Sequence, residues 1–285
     1  MDNKKEIIKV LNEDTLINTI LQVKSYLSKK KIKQYLKFNM VEVNNVVITN
    51  ANYKVNKNDI ITIFYEKKVI KESNLEILYE DNDIIAINKP SGLLSISNDK
   101  EKELTAFRLV RDYVRRNNPK TFLFTIHRLD EYTSGVLMFA KNEKTKIMFQ
   151  ENWNNIVKKR IYIAVVEGKI VKDGVFHTFL KESKSGVVYS SKDKSGKEAI
   201  TEYKVLKNKN NLTLLEVNIL TGRRNQIRVH MSENNTPILG DKKYGSKEKC
   251  RLMLHAKTLE LIDPRTNKIL TISKDAPKEI YSVME

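Results

Sequence analysis

Cysteine is almost absent: the chain of 285 residues holds one, Cys250. No intrachain disulfide can form, which fits a reducing compartment. No run of about 18 apolar residues occurs, so no membrane span is expected. The start, Met1-Asp2-Asn3-Lys4-Lys5-Glu6, lacks the apolar core of a secretory signal. The expected location is the cytoplasm. A glycine-rich nucleotide loop and clustered metal ligands are also missing, and the four histidines are scattered. Neither a cofactor nor a metal is therefore expected. There is no internal repeat, and no low-complexity segment beyond lysine-rich patches.

Positive charge, by contrast, is in excess. The chain carries 52 Lys+Arg against 35 Asp+Glu, a formal +17. Such a surplus attracts polyanions and speeds encounter with them. RNA and DNA are the usual ones, because Lys or Arg at a phosphate releases counterions. A solvated lysine-rich surface is the plainer reading of the same numbers. With 40% hydrophobic and 31% charged residues, the chain is expected to fold rather than stay disordered. Its length suits one large domain, or a large one and a small one.

Residues 1–68 read as a first unit. Leu16, Ile20, Val23 and Leu27 recur at helical spacing. Ser28 is placed to cap a second helix, with Ile32, Tyr35 and Leu36 on one face. That helix also carries Lys29, Lys30, Lys31, Lys33 and Lys37. Val41-Glu42-Val43 and Val46-Val47-Ile48, joined by Asn44-Asn45, spell a hairpin. A strand over 60–65 closes the unit. Residues 1–70 hold 13 Lys, no Arg and 7 acids. The helix pair, hairpin and basic helix face over Ser28–Phe64 resemble the S4 RNA-binding domain. That family favours glycine near positions 39, 45 and 58, where this chain has Asn. Asn tolerates left-handed backbone angles at some cost. A short linker is expected over 69–74, and a second, larger domain over 75–285.

From Leu75 onward strand signals dominate. Strands are predicted over Ile84–Ile87, Gly135–Ala140, Ile161–Val166 and Leu212–Leu220. Helices are predicted over Leu104–Arg115 and Asn142–Asn152, with another starting near Arg224. The mixture predicts an α+β class: a mainly antiparallel mixed sheet flanked by helices and loops, behind a small N-terminal α/β domain.

Two stretches carry the chemistry. The first, His127-Arg128-Leu129-Asp130-Glu131-Tyr132-Thr133-Ser134-Gly135, lies between a loop and an apolar strand, a common seat for reactive side chains. By itself Asp130 beside Arg128 could equally be an ordinary ion pair. The second, Thr221-Gly222-Arg223-Arg224-Asn225-Gln226-Ile227-Arg228-Val229-His230-Met231, follows a strand and opens a helix. Arg224 and Arg228, four apart, would share one helix face. Three arginines in six residues could clamp phosphate or orient a carboxylate, or simply begin a solvated basic helix.

Together these stretches resemble the catalytic motifs of the RluA-like RNA pseudouridine synthases, the type acting on large-subunit ribosomal RNA among other targets. Asn88-Lys89-Pro90-Ser91-Gly92-Leu93 resembles the first motif, and Arg160-Ile161-Tyr162-Ile163-Ala164 the tyrosine motif. Gly240-Asp241-Lys242-Lys243-Tyr244-Gly245 and Leu254-His255-Ala256 follow in the family's order. The resemblance implies that Asp130 is the catalytic aspartate and that Arg228 pairs with it. Tyr162 would pack on the target uracil, and Arg128 would fill the space left by the flipped base. His127, Arg223, Arg224 and Asn225 would contact RNA, as would Lys29, Lys30, Lys31 and Lys33 of the first unit. Asn225 stands where the family often has His, and Arg160 where Lys is frequent.

The implied reaction exchanges a C1′–N1 bond for a C1′–C5 bond, with no redox cofactor, metal or energy source. One carboxylate either attacks sugar or uracil covalently, or removes a ribose proton; the sequence leaves both open. A nearby arginine favours the ionised carboxylate that either route needs. The base must leave its stack, which costs a few kcal/mol, and stacking on an aromatic ring returns about 1–3 kcal/mol. Ribosomal RNA is the expected partner, with transfer RNA the variant and a non-catalytic RNA-binding or ribosome-assembly factor the alternative from another class. No membrane or nucleotide-cofactor partner is expected, and the chain is expected to be a monomer. Cys250 reads as structural, His230 as a packing or hydrogen-bonding residue, and Trp153 as core cover.

Overall fold

A computed structural model describes residues 5–37, 40–44, 46–48, 50–65, 75–97 and 104–285. They fall into two compact units, Met1–Asn74 and Leu75–Glu285. The linker expected over 69–74 lies outside the described residues, as do Asn39 and Asn45.

In the first unit, β1 (Lys5–Lys9), β3 (Val41–Val43), β4 (Val46–Val47) and β6 (Ile60–Phe64) form an antiparallel sheet ordered β1-β6-β3-β4. β2 (Asp14–Thr15) pairs with β5 (Lys54–Val55). Two helices, α1 (Leu16–Val23) and α2 (Lys29–Lys37), pack on this frame. Ser28 caps α2 as the sequence suggests, its Oγ accepting from Lys31 N–H at 3.2 Å. Ile32, Tyr35 and Leu36 are buried, while Lys29, Lys30, Lys31 and Lys33 are exposed. The β3–β4 turn and the bend before β6 use Asn44 and Asn58 at φ 50° and 74°. Asn takes the left-handed role that glycine usually fills. The strand β1 escapes the periodicity reading because five residues, two of them apolar, are too short to show a period.

The second unit is built on an 11-stranded sheet. Its main order is β13 (Val188–Ser190), β12 (Gly174–Glu182), β14 (Lys197–Lys209), β15 (Leu212–Ile219), β11 (Val157–Glu167), β16 (Leu254–Asp263), β10 (Ser134–Ala140), β8 (Ile84–Lys89) and β7 (Glu76–Glu80). β17 (Lys268–Ser273) pairs with β16, and β9 (Phe124–Thr125) with β10. Among these pairings only β10 with β16 is parallel, so the sheet is mixed and mainly antiparallel, in an α+β unit. Every residue of β10 is buried, which explains its unbroken apolar run.

Helices cover both faces. α3 (Ala106–Asn117) and α4 (Glu143–Ile156) start at Thr105 and Asn142, whose side chains accept from the N–H groups of Arg108 and Thr145. α4 buries Phe149 and Ile156 against Ala86, Val136, Met138 and Leu261. α5 (Gln226–Glu233) packs Ile227 and Met231 on Ala164, Val166 and Val217. The alternate residues Ile163 and Val165 face α6 (Lys278–Ser282) through Ile280 on the opposite side. Among the described residues no helix is long and apolar enough to cross a membrane.

Candidate active site

A cavity of about 350 Å³ lies on β11 between α4 and α5. Asp130, Tyr162 and Arg228 all line it, with Arg128, Arg160 and Arg223. Residues 98 positions apart in sequence therefore meet, as Arg228 Nη1 lies 3.4 Å from Asp130 Oδ2.

The loop carrying Asp130 is pinned on both sides of it. Leu129 exchanges two hydrogen bonds with Ser95 Oγ, one through its N–H at 3.0 Å and one through its carbonyl at 2.7 Å. The Glu131 carbonyl accepts from Gly92 N–H and from Lys89 Nζ, both at 2.9 Å. Ser91 Oγ–H donates to the Tyr132 carbonyl. Lys89 is fully buried and also donates to the Pro90 and Leu93 carbonyls. Burial pushes Lys89 down to about 7, while Asp130 and Glu131 pull it back up. The first motif is thus a clamp that presents the carboxylate without touching the cavity itself.

Glycine is required where this loop enters the sheet. Gly135 has φ +115°, and a Cβ there would sit 2.1 Å from the Ala256 carbonyl oxygen. That close approach lets β10 lie parallel to β16.

Arg228 is held from behind. Its Nε and Nη2 donate to both oxygens of Asp241 at 2.7 and 2.8 Å, and Nη1 donates to Asn225 Oδ1 at 3.0 Å. The guanidinium packs over the Tyr244 ring at 5.1 Å, and Asn225 Nδ2–H donates to Tyr244 Oη. The ionic partners outweigh desolvation and raise the Arg228 pKa above its ordinary value. Arg228 spends its two-pronged grip on Asp241 and offers a single prong to Asp130. The motif quoted around Asp241 and Tyr244 held this signal: an acid and an aromatic three apart between two turn glycines.

Two sequence-based placements change. Arg224 and Arg228 do not share a helix face, because Asn225 takes a left-handed conformation (φ 54°) and α5 begins only at Gln226. Arg224 instead pairs with Glu182 at the surface, outside the cavity. Asn225 lines the cavity but is buried and bonded to Arg228 and Tyr244. Its left-handed angles explain why Asn is tolerated there.

The remaining residues line the rim. Arg128 is exposed and has no ion pair or hydrogen bond to a described residue. Arg223 Nε donates to the Glu198 carbonyl. His127 Nε2 accepts from Met138 N–H at 3.1 Å, and its ring stacks on Trp153 at 5.1 Å. Burial, with the Arg160 charge adding to it, lowers His127 to about 4, so the ring is neutral near pH 7. Trp153, read from sequence as core cover, does pack on core but also walls the cavity. Burial pushes the Tyr162 hydroxyl up to about 12, opposed by Arg160 and aided by Asp130. The ring therefore stays neutral, a flat surface beside the carboxylate.

A neutral aromatic face, one carboxylate and four arginines line one cleft, a combination with the chemistry to hold a planar base on an anionic chain. Comparison with solved structures agrees in fold. Human RNA pseudouridylate synthase domain-containing protein 4 superposes with a TM-score of 0.60 at 23% identity, covering 72% of this chain and 90% of that one. Residues 83–233 match the RNA pseudouridylate synthase family. Ribosomal large subunit pseudouridine synthase D of Buchnera aphidicola is 30% identical, covering 100% of this chain and 98% of the relative. tRNA pseudouridine synthase C of Haemophilus ducreyi is 34% identical, covering 70% and 90%. The chain belongs to the RNA pseudouridylate synthase family. It is an enzyme that isomerises uridine to pseudouridine in RNA.

Proposed function

We propose that Asp130 is the reacting carboxylate, that Arg228 orients it, and that Tyr162 stacks on the flipped uracil. The observation carrying this reading is the convergence of all three side chains on one cavity, with the Arg228–Asp130 contact at 3.4 Å. In the reaction C1′–N1 breaks and C1′–C5 forms. The C5 proton leaves to solvent and N1 gains one, so no other reactant is consumed. Asp130 acts by covalent attack or by removing a ribose proton. Arg128, exposed in the cavity lining and unpaired among the described residues, would occupy the gap left in the RNA stack. Arg223 and Arg224 meet the RNA backbone.

The substrate we infer is large-subunit ribosomal RNA. The Buchnera relative of that name spans the whole chain, first unit included. We assign that unit an S4-like RNA-binding role, supported by four exposed lysines on α2 and the left-handed Asn44 and Asn58 turns. Transfer RNA is the second reading, favoured by the Haemophilus relative, whose match covers 70% of this chain. The enzyme is taken to act as a cytoplasmic monomer. Incubating the protein with unmodified ribosomal and transfer RNA transcripts, then mapping pseudouridine by carbodiimide-induced reverse-transcription stops, separates the two. Stops confined to ribosomal RNA support the first reading, and stops confined to transfer RNA replace it with the second.

A further inference from the structure

Of the four arginines that line the cavity, Arg160 is the one with a buried guanidinium nitrogen that lacks an acceptor among the described residues. Its Nη2 donates to the Leu220 carbonyl at 2.6 Å, but Nε is buried and finds no acceptor among the described residues. A buried, unsatisfied donor on a charged group is costly and uncommon in a folded protein. Burial accordingly lowers its pKa from the ordinary guanidinium value, with the neighbouring Arg223 charge adding to the effect. Among the described residues no carboxylate pairs with it: Asp130 is the acidic side chain that lines the cavity, and it is engaged by Arg228.

The space around Arg160 is shaped for a further partner. A Cβ on Gly222 would lie 2.7 Å from Arg160 Nη1, so a side chain at 222 would crowd the guanidinium. Gly222 and Arg223 line the same cavity. Arg160 and Tyr162, two apart on β11, both line the cavity, roughly 6–7 Å apart along the strand. That separation is comparable with the ribose that lies between a base and its phosphate.

We propose that Arg160, in the room left by Gly222, binds a phosphate of the target nucleotide itself while Tyr162 holds its base. This assignment rests on the reading of the cavity as the uridine site. An anion at this point supplies the acceptor that the guanidinium lacks and balances the Arg160–Arg223 pair. Arg160 is then a substrate-binding residue that sets how far the flipped nucleotide enters, and it anchors the 220–223 loop through Leu220.

Trp153, the sole tryptophan, lines this cavity, so its fluorescence reports occupancy without requiring turnover. The 285-residue chain would be titrated with uridine, uridine 5′-monophosphate and uridine 3′-monophosphate. One monophosphate should bind the wild type about tenfold or more tightly than uridine, as a charge-assisted contact implies. The advantage should vanish in Arg160→Gln, shrink in Gly222→Ala and survive in part in Arg160→Lys, which keeps the charge but not the fork. Which monophosphate wins identifies the phosphate. Equal affinity for uridine and both monophosphates in the wild type, with or without measurable binding, would overturn the proposal. So would an advantage that persists in Arg160→Gln. Equal weakening of all three probes by that variant would instead make Arg160 a structural anchor of the loop. Tritium release from C5-labelled RNA by the wild type, followed in parallel, tests the uridine-site reading separately.

Discussion

Arg228 grips both oxygens of Asp241 through Nε and Nη2, at 2.7 and 2.8 Å, and reaches Asp130 through Nη1 at 3.4 Å. The carboxylate proposed to react is thus steered by an arginine that is itself locked in place by a second, fully buried carboxylate. Asp130 keeps one oxygen clear of that contact, as a group that must reach a substrate atom needs.

This arrangement makes Asp241 a positioning residue. Asp241→Asn should lower the single-turnover rate by a factor close to that of Arg228→Lys, since either change breaks the fork. Removing one partner of a buried pair costs about 3–5 kcal/mol, so the unfolding midpoint should fall as well. The double variant should lose little more than either single one. Rates that multiply independently would show that the two side chains do not work as a unit.

Lys89 separates stability from activity. Its three N–H groups match three carbonyls, a set that the ammonium fills and the neutral amine cannot. Its folded value, about 7, lies below the unfolded value of about 10.4. Between these the unfolded chain binds more protons, so the contribution of Lys89 to stability rises with pH. The clamp on Glu131 loses a donor over the same range. Activity should therefore decline above about pH 7 while stability does not, and Lys89→Met should be slow at every pH without that alkaline decline. A pH–rate series at saturating RNA, with urea midpoints alongside, checks both parts.

Acid should act through the histidines. Burial lowers His127, His230 and His255 each to about 4, against about 6.5 in an unfolded chain. Their contribution is complete above pH 6.5 and drains as pH falls toward 4, because the unfolded chain takes up protons first. His230 bridges Thr178 and Thr201, and His255 bonds Ser134 and the Lys274 carbonyl, and the charges of Glu233 and Asp275 offset their burial only in part. Urea midpoints measured from pH 7.5 to 4.5 should fall steadily below 6.5. A flat profile would contradict these values.

Gly135→Ala should be among the most damaging single changes. It forces an L side chain onto φ +115° and into the Ala256 backbone. Strain of about 1–3 kcal/mol from the angle alone adds to the clash where β10 meets β16. Thermal unfolding should show a large loss. A midpoint within a degree or two of wild type would mean that the strands separate more readily than the structure implies.

Much of this was legible in the sequence, for identifiable reasons. The strands β8, β10, β11 and β15 are apolar runs whose burial dictates their composition. The Asp130 loop and the arginine segment stand out because polar, charged residues interrupt such runs. What stayed hidden depends on long-range partners. Nothing local says that Arg228 prefers Asp241 to Asp130, that Lys89 spends its charge on three carbonyls, or that Trp153 walls the cavity. Spacing alone puts the helix start two residues early, at Arg224, because it does not reveal that Asn225 adopts a left-handed conformation. The hairpin region β12–β14 was missed because exposed, charged strands blur the alternation: β14 has only two fully buried residues, Ala199 and Thr201.

The central claim is that Asp130 carries the chemistry. The most direct measurement is tritium release from RNA labelled at uracil C5, wild type beside Asp130→Asn, with circular dichroism and RNA binding confirming that the variant is folded and engaged. The account predicts release by the wild type and none above background from the variant, with RNA binding retained. Release by a folded Asp130→Asn at a rate near wild type would contradict it and move the search to another group in the cavity.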